Sequence, residues 1–254
     1  MNASEPKTCW RPEEFCLAAP GFYPSIAGIA YNCVCRKDFS KPGFFLIDFG
    51  PKASSELLRR WMLELERRMR RIHQDQAARD LVIVSAGRFD QQVTTKLHRD
   101  GGPDEAFLML GYEPTEVSAE LTLADYSRCA SEMGLSPVEF LERHNPMFAA
   151  GAELLAPYST RVECFRPAHY QILLINNSMA PTTANHEVWQ GVLHTATIGN
   201  PTEAHRRVVN SIMVANVPLG TEEPVAASEL EAFADTSVVR RRGYDKPELK
   251  DDAG

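Results

Sequence analysis

Residues 81–85, Leu-Val-Ile-Val-Ser, begin a series of short β-prone stretches that turn residues separate from one another. The other stretches of the series are residues 92–98, 106–110, 159–165, 169–176, 191–198 and 206–214. Short strands at such intervals favour a β-sandwich or a barrel of the jelly-roll kind. The series does not alternate with helices, and the sequence has no Gly-x-Gly-x-x-Gly motif or P-loop, which excludes the nucleotide-binding α/β folds.

The chain before residue 81 supplies one more strand and a long helix. Residues 41–50, Lys-Pro-Gly-Phe-Phe-Leu-Ile-Asp-Phe-Gly, hold a short apolar run between turn residues and predict a strand. From about residue 55 to His73, apolar residues recur at helical spacing and predict an amphipathic helix. Its other face carries Arg59, Arg60, Arg67, Arg68, Arg70 and Arg71. We expect that face to be solvated and to pair with Glu64 and Glu66.

Residues 122–150 interrupt the strand series with a pattern typical of helices. Thr122 and Ser136 each stand three positions before an acidic residue, as in a helix-capping box, and Gly134 is expected to end the first helix. We interpret this helical insertion either as a lid or as a packing element. A further helix is predicted near residues 227–233.

These patterns predict a single domain over residues 1–254. Residues 1–80 are expected to form an N-terminal extension and helical buttress, and residues 81–217 a β core that contains the insertion. Residues 218–254 are expected to form a C-terminal helix and a peripheral, charged tail.

Composition limits the class of protein. The 254 residues are 44% hydrophobic and 24% charged, as in ordinary globular domains, and a chain of this length can bury about three quarters of its unfolded surface. The net charge of −7 argues against a general nucleic-acid-binding surface. No apolar run is long enough to span a membrane and no signal-peptide core is present, so we expect a soluble, cytoplasmic protein without membrane contacts. The six cysteines are expected to be free thiols, since cytosolic reductants keep thiols reduced. The C-x₂-C spacing of structural zinc sites is missing, and whether the N-terminal cysteines bind a metal stays open.

The strongest motif of the sequence is His98-Arg99-Asp100, followed by the turn residues Gly-Gly-Pro. In an extended segment positions i and i+2 project to the same face, so His98 and Asp100 can converge on one point. An imidazole and a carboxylate supply two ligands of the 2-His-1-carboxylate triad, which holds Fe(II) and leaves positions open. Because the His-x-Asp pattern also occurs by chance, it needs a second histidine from a distant strand.

His194 is the best candidate for that histidine, since it lies within a strand-like run in which a histidine is unexpected unless it has a specific role. His186 is the second choice. An arginine pair, Arg206 and Arg207, begins the next predicted strand. A hairpin centred near Thr202 would place Arg206 on the same face as His194, whereas a register change of one residue would favour Arg207. Either guanidinium could bind a ligand carboxylate through two hydrogen bonds.

Taken together, these residues resemble the iron(II)/2-oxoglutarate-dependent oxygenases. The likeness is strongest to the phytanoyl-CoA dioxygenase-like branch, in which an Asn and then a basic pair commonly follow the distal histidine, and it covers about residues 90–217. It implies a mainly β chain with flanking helices, built on a double-stranded β-helix, that uses Fe(II), 2-oxoglutarate and dioxygen. The metal ligands implied are His98, Asp100 and His194, with Arg206 as the partner of the distal carboxylate of 2-oxoglutarate. One departure is Val208, where many members have Ser.

The resemblance implies hydroxylation of a small molecule, coupled to decarboxylation of 2-oxoglutarate to succinate. Asn176, Tyr170 and Trp189 are candidates for lining the pocket. Two alternatives stay open: a cupin-like metal enzyme without 2-oxoglutarate, which would not need the arginine, and a non-catalytic β-barrel binding protein with structural histidines. The sequence does not define the oligomeric state or the substrate.

Overall fold

Two β-sheets face each other in the computed structural model, which describes residues 10–180 and 188–241. The seven-stranded large sheet contains, in spatial order, β1 (Cys16–Ala18), β2 (Phe44–Asp48), β7 (Gln171–Asn176), β4 (Ala106–Tyr112), β9 (Val208–Pro218), β3 (Arg79–Asp90) and β10 (Arg240–Arg241). The three-stranded small sheet contains β6 (Ser159–Arg161), β5 (Ala119–Ala124) and β8 (Leu193–Ile198). The pairs within the large sheet are antiparallel except at its two edges, where β1 and β10 run parallel to their neighbours.

The inner face of the large sheet is the side turned towards the small sheet. Leu108 and Met213 lie opposite each other across β4 and β9, and both belong to an apolar layer that also takes Leu121 and Leu123 from β5. Every residue of β4 is buried, because its other face is covered as well. This explains why residues 106–110 are continuously apolar rather than alternating.

The outer face of the large sheet packs against two helices, α2 (Ser25–Val34) and α3 (Ser55–Ala77). A shorter helix, α1 (Pro12–Phe15), directly precedes β1. The Ser54 side chain caps α3 by accepting a hydrogen bond from the Leu57 N–H, and Ala78 ends the helix with a left-handed φ of 49°. The apolar positions that predicted α3 form its buried face. That face packs on the sheet together with α7 (Ala227–Asp235).

The insertion folds as three short helices: α4 (Tyr126–Glu132), α5 (Pro137–Arg143) and α6 (Ala149–Leu155). Ser136 and Glu139 form the predicted capping box of α5, and Gly134, with a φ of 69°, follows the end of α4 as expected. The prediction for Thr122 was wrong, because Thr122 lies within β5 and the side chain of Asp125 caps α4. The strand therefore runs up to the residue before the cap.

Most of the predicted elements are confirmed with shifted ends, and three expectations need correction. Residues 92–98 are not a regular strand and keep a single bridge, between His98 and His194. Helix α2 was not predicted. About 31% of the described residues are helical and 27% are in strands, so the chain is mixed α and β rather than mainly β. No helix of the described ranges has both the length and the apolar character needed to cross a membrane.

Candidate metal centre

The structure brings together His98, Asp100 and His194, the three residues that the sequence selected as metal ligands. Each offers one ligand atom, and the three atoms lie within 4.8 Å of one another. The site is half-buried: the side chain of His98 is 28% exposed and that of Asp100 is 13% exposed. Among the described residues, this is the group of His, Cys, Asp and Glu side chains that is compact enough to share one ion. The five described cysteines are free thiols, as expected.

The backbone holds the two histidines side by side. The N–H of His98 donates to the carbonyl of His194 at 3.1 Å, and the N–H of His194 donates back to the carbonyl of His98 at 2.9 Å. This antiparallel bridge places the two imidazole ring centres 4.3 Å apart. The Nδ1 of His98 lies 2.7 Å from the carbonyl oxygen of Lys96, which can only accept, so this nitrogen carries the proton. Nε2, 3.4 Å from Oδ1 of Asp100, is then the ring nitrogen available to a metal.

Asn177 fixes the backbone at Asp100. Its Oδ1 accepts from the N–H of Asp100 at 3.0 Å, and its Nδ2 donates to the carbonyl of Asp100 at 2.9 Å. Asn177 is fully buried, and its own carbonyl accepts from Nε of Arg99 at 3.1 Å. The sequence analysis missed this residue, although it extends the inner-face alternation of Leu173 and Ile175 by one step. A polar side chain at a position that the alternation assigns to the interior indicates a specific hydrogen-bonding role.

A small cavity lies beside Asp100 between the sheets, with a volume of about 140 Å³. Its walls come from Leu108 and Met213, and its floor from the small residues Ser85, Gly87 and Ser211 on the inner face. Drug-sized ligands occupy pockets of roughly 300 Å³ or more, so this cavity suits a smaller molecule. Its contact with Asp100 joins it to the metal centre.

The buried arginine of the pair is Arg207, not Arg206. Arg207 is 2% exposed and shares the inner face with Ser211 and Met213, whereas Arg206 is exposed. The predicted hairpin between residues 194 and 210 was wrong, because β8 belongs to the small sheet and β9 pairs with β3 and β4. Without that hairpin, strand pairing gives no reason for Arg206 to share a face with His194.

The guanidinium of Arg207 has an incomplete set of partners. Nη1 donates to the carbonyl of Gln91 at 2.9 Å, and the group lies over the ring of Tyr112, 5.2 Å from its centre. Nη2 is buried and has no hydrogen-bond partner among the described residues. Burial raises the pKa of the Tyr112 phenol, Arg207 lowers it, and the Asp100 carboxylate adds a smaller rise. Arg207, Tyr112 and Asp100 thus share one interior region.

The three other candidate pocket residues lie on the outer face, away from the metal centre. Trp189 packs in the outer-face core, Tyr170 packs against its edge, and the Asn176 side chain donates to the carbonyl of Val34 in α2. The expectation that they line the pocket was wrong, because it did not consider on which side of the large sheet each side chain lies. His186, the second choice for a ligand, lies outside the described residues.

The helical insertion supports the metal centre from one side. Its apolar cluster, centred on Tyr126 and Phe140, includes Leu193 and packs against Leu97. These two leucines immediately precede His194 and His98 in the chain. The insertion therefore acts at least as a packing element behind both histidines.

A comparison with known proteins finds neither a family model nor a curated protein that matches this chain. The chemistry of the site is therefore what points to a function. Two imidazoles and one carboxylate that converge on one point form the donor set of the facial triad, which holds non-haem Fe(II) in other proteins. A buried guanidinium nitrogen without a partner is suited to an anion, above all to a carboxylate.

Proposed function

We propose that the chain is a non-haem Fe(II)/2-oxoglutarate-dependent oxygenase that hydroxylates a small molecule. The observation that carries this proposal is the pairing of the His98, Asp100 and His194 cluster with the buried, incompletely paired guanidinium of Arg207. A metal enzyme without an anionic cosubstrate has no need of such a guanidinium. A binding protein with structural histidines has no need of the cluster.

The donor set fits the metal. His98, Asp100 and His194 would hold Fe(II), and three protein ligands would leave positions for a chelating 2-oxo acid and dioxygen. When bound, Fe(II) and 2-oxoglutarate supply the oxidation: dioxygen gives one oxygen atom to succinate and one to the hydroxylated product, with release of carbon dioxide.

The residues around the triad bind and orient the cosubstrate. Arg207 would hold the distal carboxylate, and the guanidinium is fixed in direction by its place over the Tyr112 ring, by a side-chain hydrogen bond with Tyr112 and by its bond to Gln91. The cavity beside Asp100, bordered by Ser85 and Ser211, would take the part of the cosubstrate next to the metal. Apolar neighbours such as Leu108 and Met213 exclude water from the same region.

The order of the strands supports a double-stranded β-helix. From β3 onward the chain passes from the large sheet to the segment bridged with β8, returns to β4, and crosses to β5 and β6. It then alternates between β7, β8 and β9. Winding between two facing, largely antiparallel sheets supports the proposal of a jelly roll.

The test is an anaerobic titration of the metal-free protein with Fe(II) and 2-oxoglutarate, followed through the weak visible charge-transfer band of the ternary complex. We expect a band with the wild type and with His205→Ala, which removes an exposed histidine paired with Glu116. We expect none with His98→Ala. A missing band in the wild type, or a band that persists in His98→Ala, would overturn the proposal. Iron binding without any response to 2-oxoglutarate would point to the cupin-like alternative.

A further inference from the structure

A groove of about 590 Å³ lies on the outer side of the molecule between α3, α7 and β3. This volume lies within the range of small-molecule sites. Trp61 and Leu63 of α3, Ile83 of β3 and Leu230 of α7 form its apolar walls. Because Ile83 belongs to the outer-face core, the large sheet separates this groove from the metal centre.

Glu66 lines the groove and, unlike the other charged side chains there, forms no ion pair among the described residues. It is 6% exposed, and its Oε1 is buried without a hydrogen-bond partner in the described ranges. The other charges around the groove pair with opposite charges. These pairs are Arg60 with Asp235, Arg67 with Glu64, Arg70 with Glu223 and Asp80, and Arg60 with Glu231 at the longer distance of 3.8 Å. The expectation that Glu66 pairs on a solvated arginine face was therefore wrong, whereas it holds for Glu64.

An unpaired carboxyl group inside a protein is destabilising, and most buried polar atoms have partners. We propose that the groove is a binding site for a primary amine with an apolar body. The ammonium group donates to the carboxylate of Glu66, which lines the groove, and the apolar body lies against Trp61 and Leu230. The aromatic ring of Trp61 stacks on Phe49 at 4.3 Å, which fixes the wall in place.

The protonation state of Glu66 provides a signature for this site. Burial, with a smaller contribution from Glu223, raises the pKa of Glu66 to about 8. Arg70 and Arg67 lower it, and Asp80 raises it. The carboxyl group is thus mostly protonated at neutral pH in the absence of a ligand. An ammonium ion favours the carboxylate, so binding releases a proton from Glu66 to the solvent.

The experiment is isothermal titration of the whole chain with 2-phenylethylamine near pH 7 in two buffers of different ionisation enthalpy. We expect saturable binding, a released proton, and affinity at least about tenfold higher than for 2-phenylethanol, which lacks the charge. Glu66→Gln should weaken binding at least about tenfold and abolish proton release. Glu64→Gln is the matched control, because it changes a carboxylate of the rim that already pairs with Arg67, and it should keep the affinity within about twofold.

A second variant guards against a folding effect at the buried position. Ala227 is exposed and lines the groove, so Ala227→Trp fills the site without disturbing the core and should prevent binding. Equal binding by the Glu66→Gln protein, equal binding of 2-phenylethanol, or no binding of the amine by the wild type would each overturn the proposal. Fe(II) binding at the triad is expected to stay unchanged in all three variants, so this test is independent of the proposed oxygenase function.

Discussion

The two faces of the large sheet share the same strands but are packed differently. The outer face is covered by α2 and α3, and the central residues of α3 are fully buried in a continuous apolar core. The inner face has an apolar layer at one end, but towards Asp100 it carries Ser85, Gly87 and Ser211, and a cavity remains there. Close packing gives stability, whereas open space with polar groups gives a binding site.

Two buried polar side chains, one on each face, differ in the same way, and Glu66 in the outer groove is the exception on its own face. On the outer face His73 is buried but contacts Tyr31 and Asn216, each within hydrogen-bond distance. On the inner face, Arg207 keeps a nitrogen without a partner in the described part of the chain. A satisfied buried group holds a fold together, whereas an unsatisfied one is suited to a ligand. Four predictions separate these two roles, in order of decreasing effect.

The largest effect is expected on stability, from the outer face. Leu65→Ala removes a fully buried side chain of α3 and should lower the free energy of unfolding by about 2–5 kcal/mol. Urea denaturation of the metal-free protein measures this. Ser211→Ala on the inner face should change stability by less than ~1 kcal/mol, because the side chain borders a cavity. A loss of Fe(II) affinity in Leu65→Ala of more than about tenfold would show that the two faces are not independent.

The next effect concerns the cosubstrate. Arg207→Ala should raise the KM for 2-oxoglutarate roughly 100-fold, corresponding to about 2.7 kcal/mol, because it removes the buried cation that would pair with the distal carboxylate. Succinate formation measures this, and Fe(II) affinity without cosubstrate should not change. Arg206→Ala is the control and should alter KM less than about twofold, since that side chain is exposed. The opposite ranking of the two arginines would reject the assignment of Arg207.

A pH-dependent effect is expected at Glu66. Its pKa in the folded protein is about 8, raised chiefly by burial above the ordinary value of 4.5, so deprotonation favours the unfolded chain. The contribution to stability is complete below about pH 4.5 and is lost as the pH rises through 8. Glu66→Gln should therefore become more stable relative to wild type by a few kcal/mol between pH 5 and pH 9. A constant difference across that range would contradict a raised pKa.

The sequence predicted the local elements and the meeting of His98 with Asp100 because both depend on short-range spacing, whereas His194 was chosen as the polar residue of a strand-like run. The continuous apolar run around Leu108 and the 3.6-residue period of α3 reflect burial, and His98 and Asp100 share a face because they are two residues apart. The choice between Arg206 and Arg207 needed the partner of β9, which spacing along the chain does not define. Residues 92–98 also departed from the expected strand, because the Thr94 and Thr95 hydroxyls accept hydrogen bonds from β8 N–H groups. Side-chain bonds of this kind leave no periodic signal.

The smallest effect is expected at Asn177, whose side chain bonds to the backbone N–H and carbonyl of Asp100. Asn177→Ala removes both hydrogen bonds to the peptide groups of Asp100 and frees the carboxylate to leave the position facing His98. Fe(II) affinity should fall about tenfold, corresponding to about 1.4 kcal/mol, as is usual for residues that orient a metal ligand. Fluorescence competition with a chelator measures this change.

Asn177→Asp provides the sharper comparison. It retains an acceptor for the N–H of Asp100 but cannot donate to the carbonyl of Asp100 when ionised, so its affinity should lie between those of the wild type and Asn177→Ala. Asn176→Ala, one residue away but directed at Val34 on the outer face, should leave Fe(II) affinity unchanged while lowering stability. If Asn176→Ala weakened the metal and Asn177→Ala did not, the inner face would not be the side that positions Asp100. The two neighbouring asparagines thus test, within one strand end, whether the two faces of the sheet have separate roles.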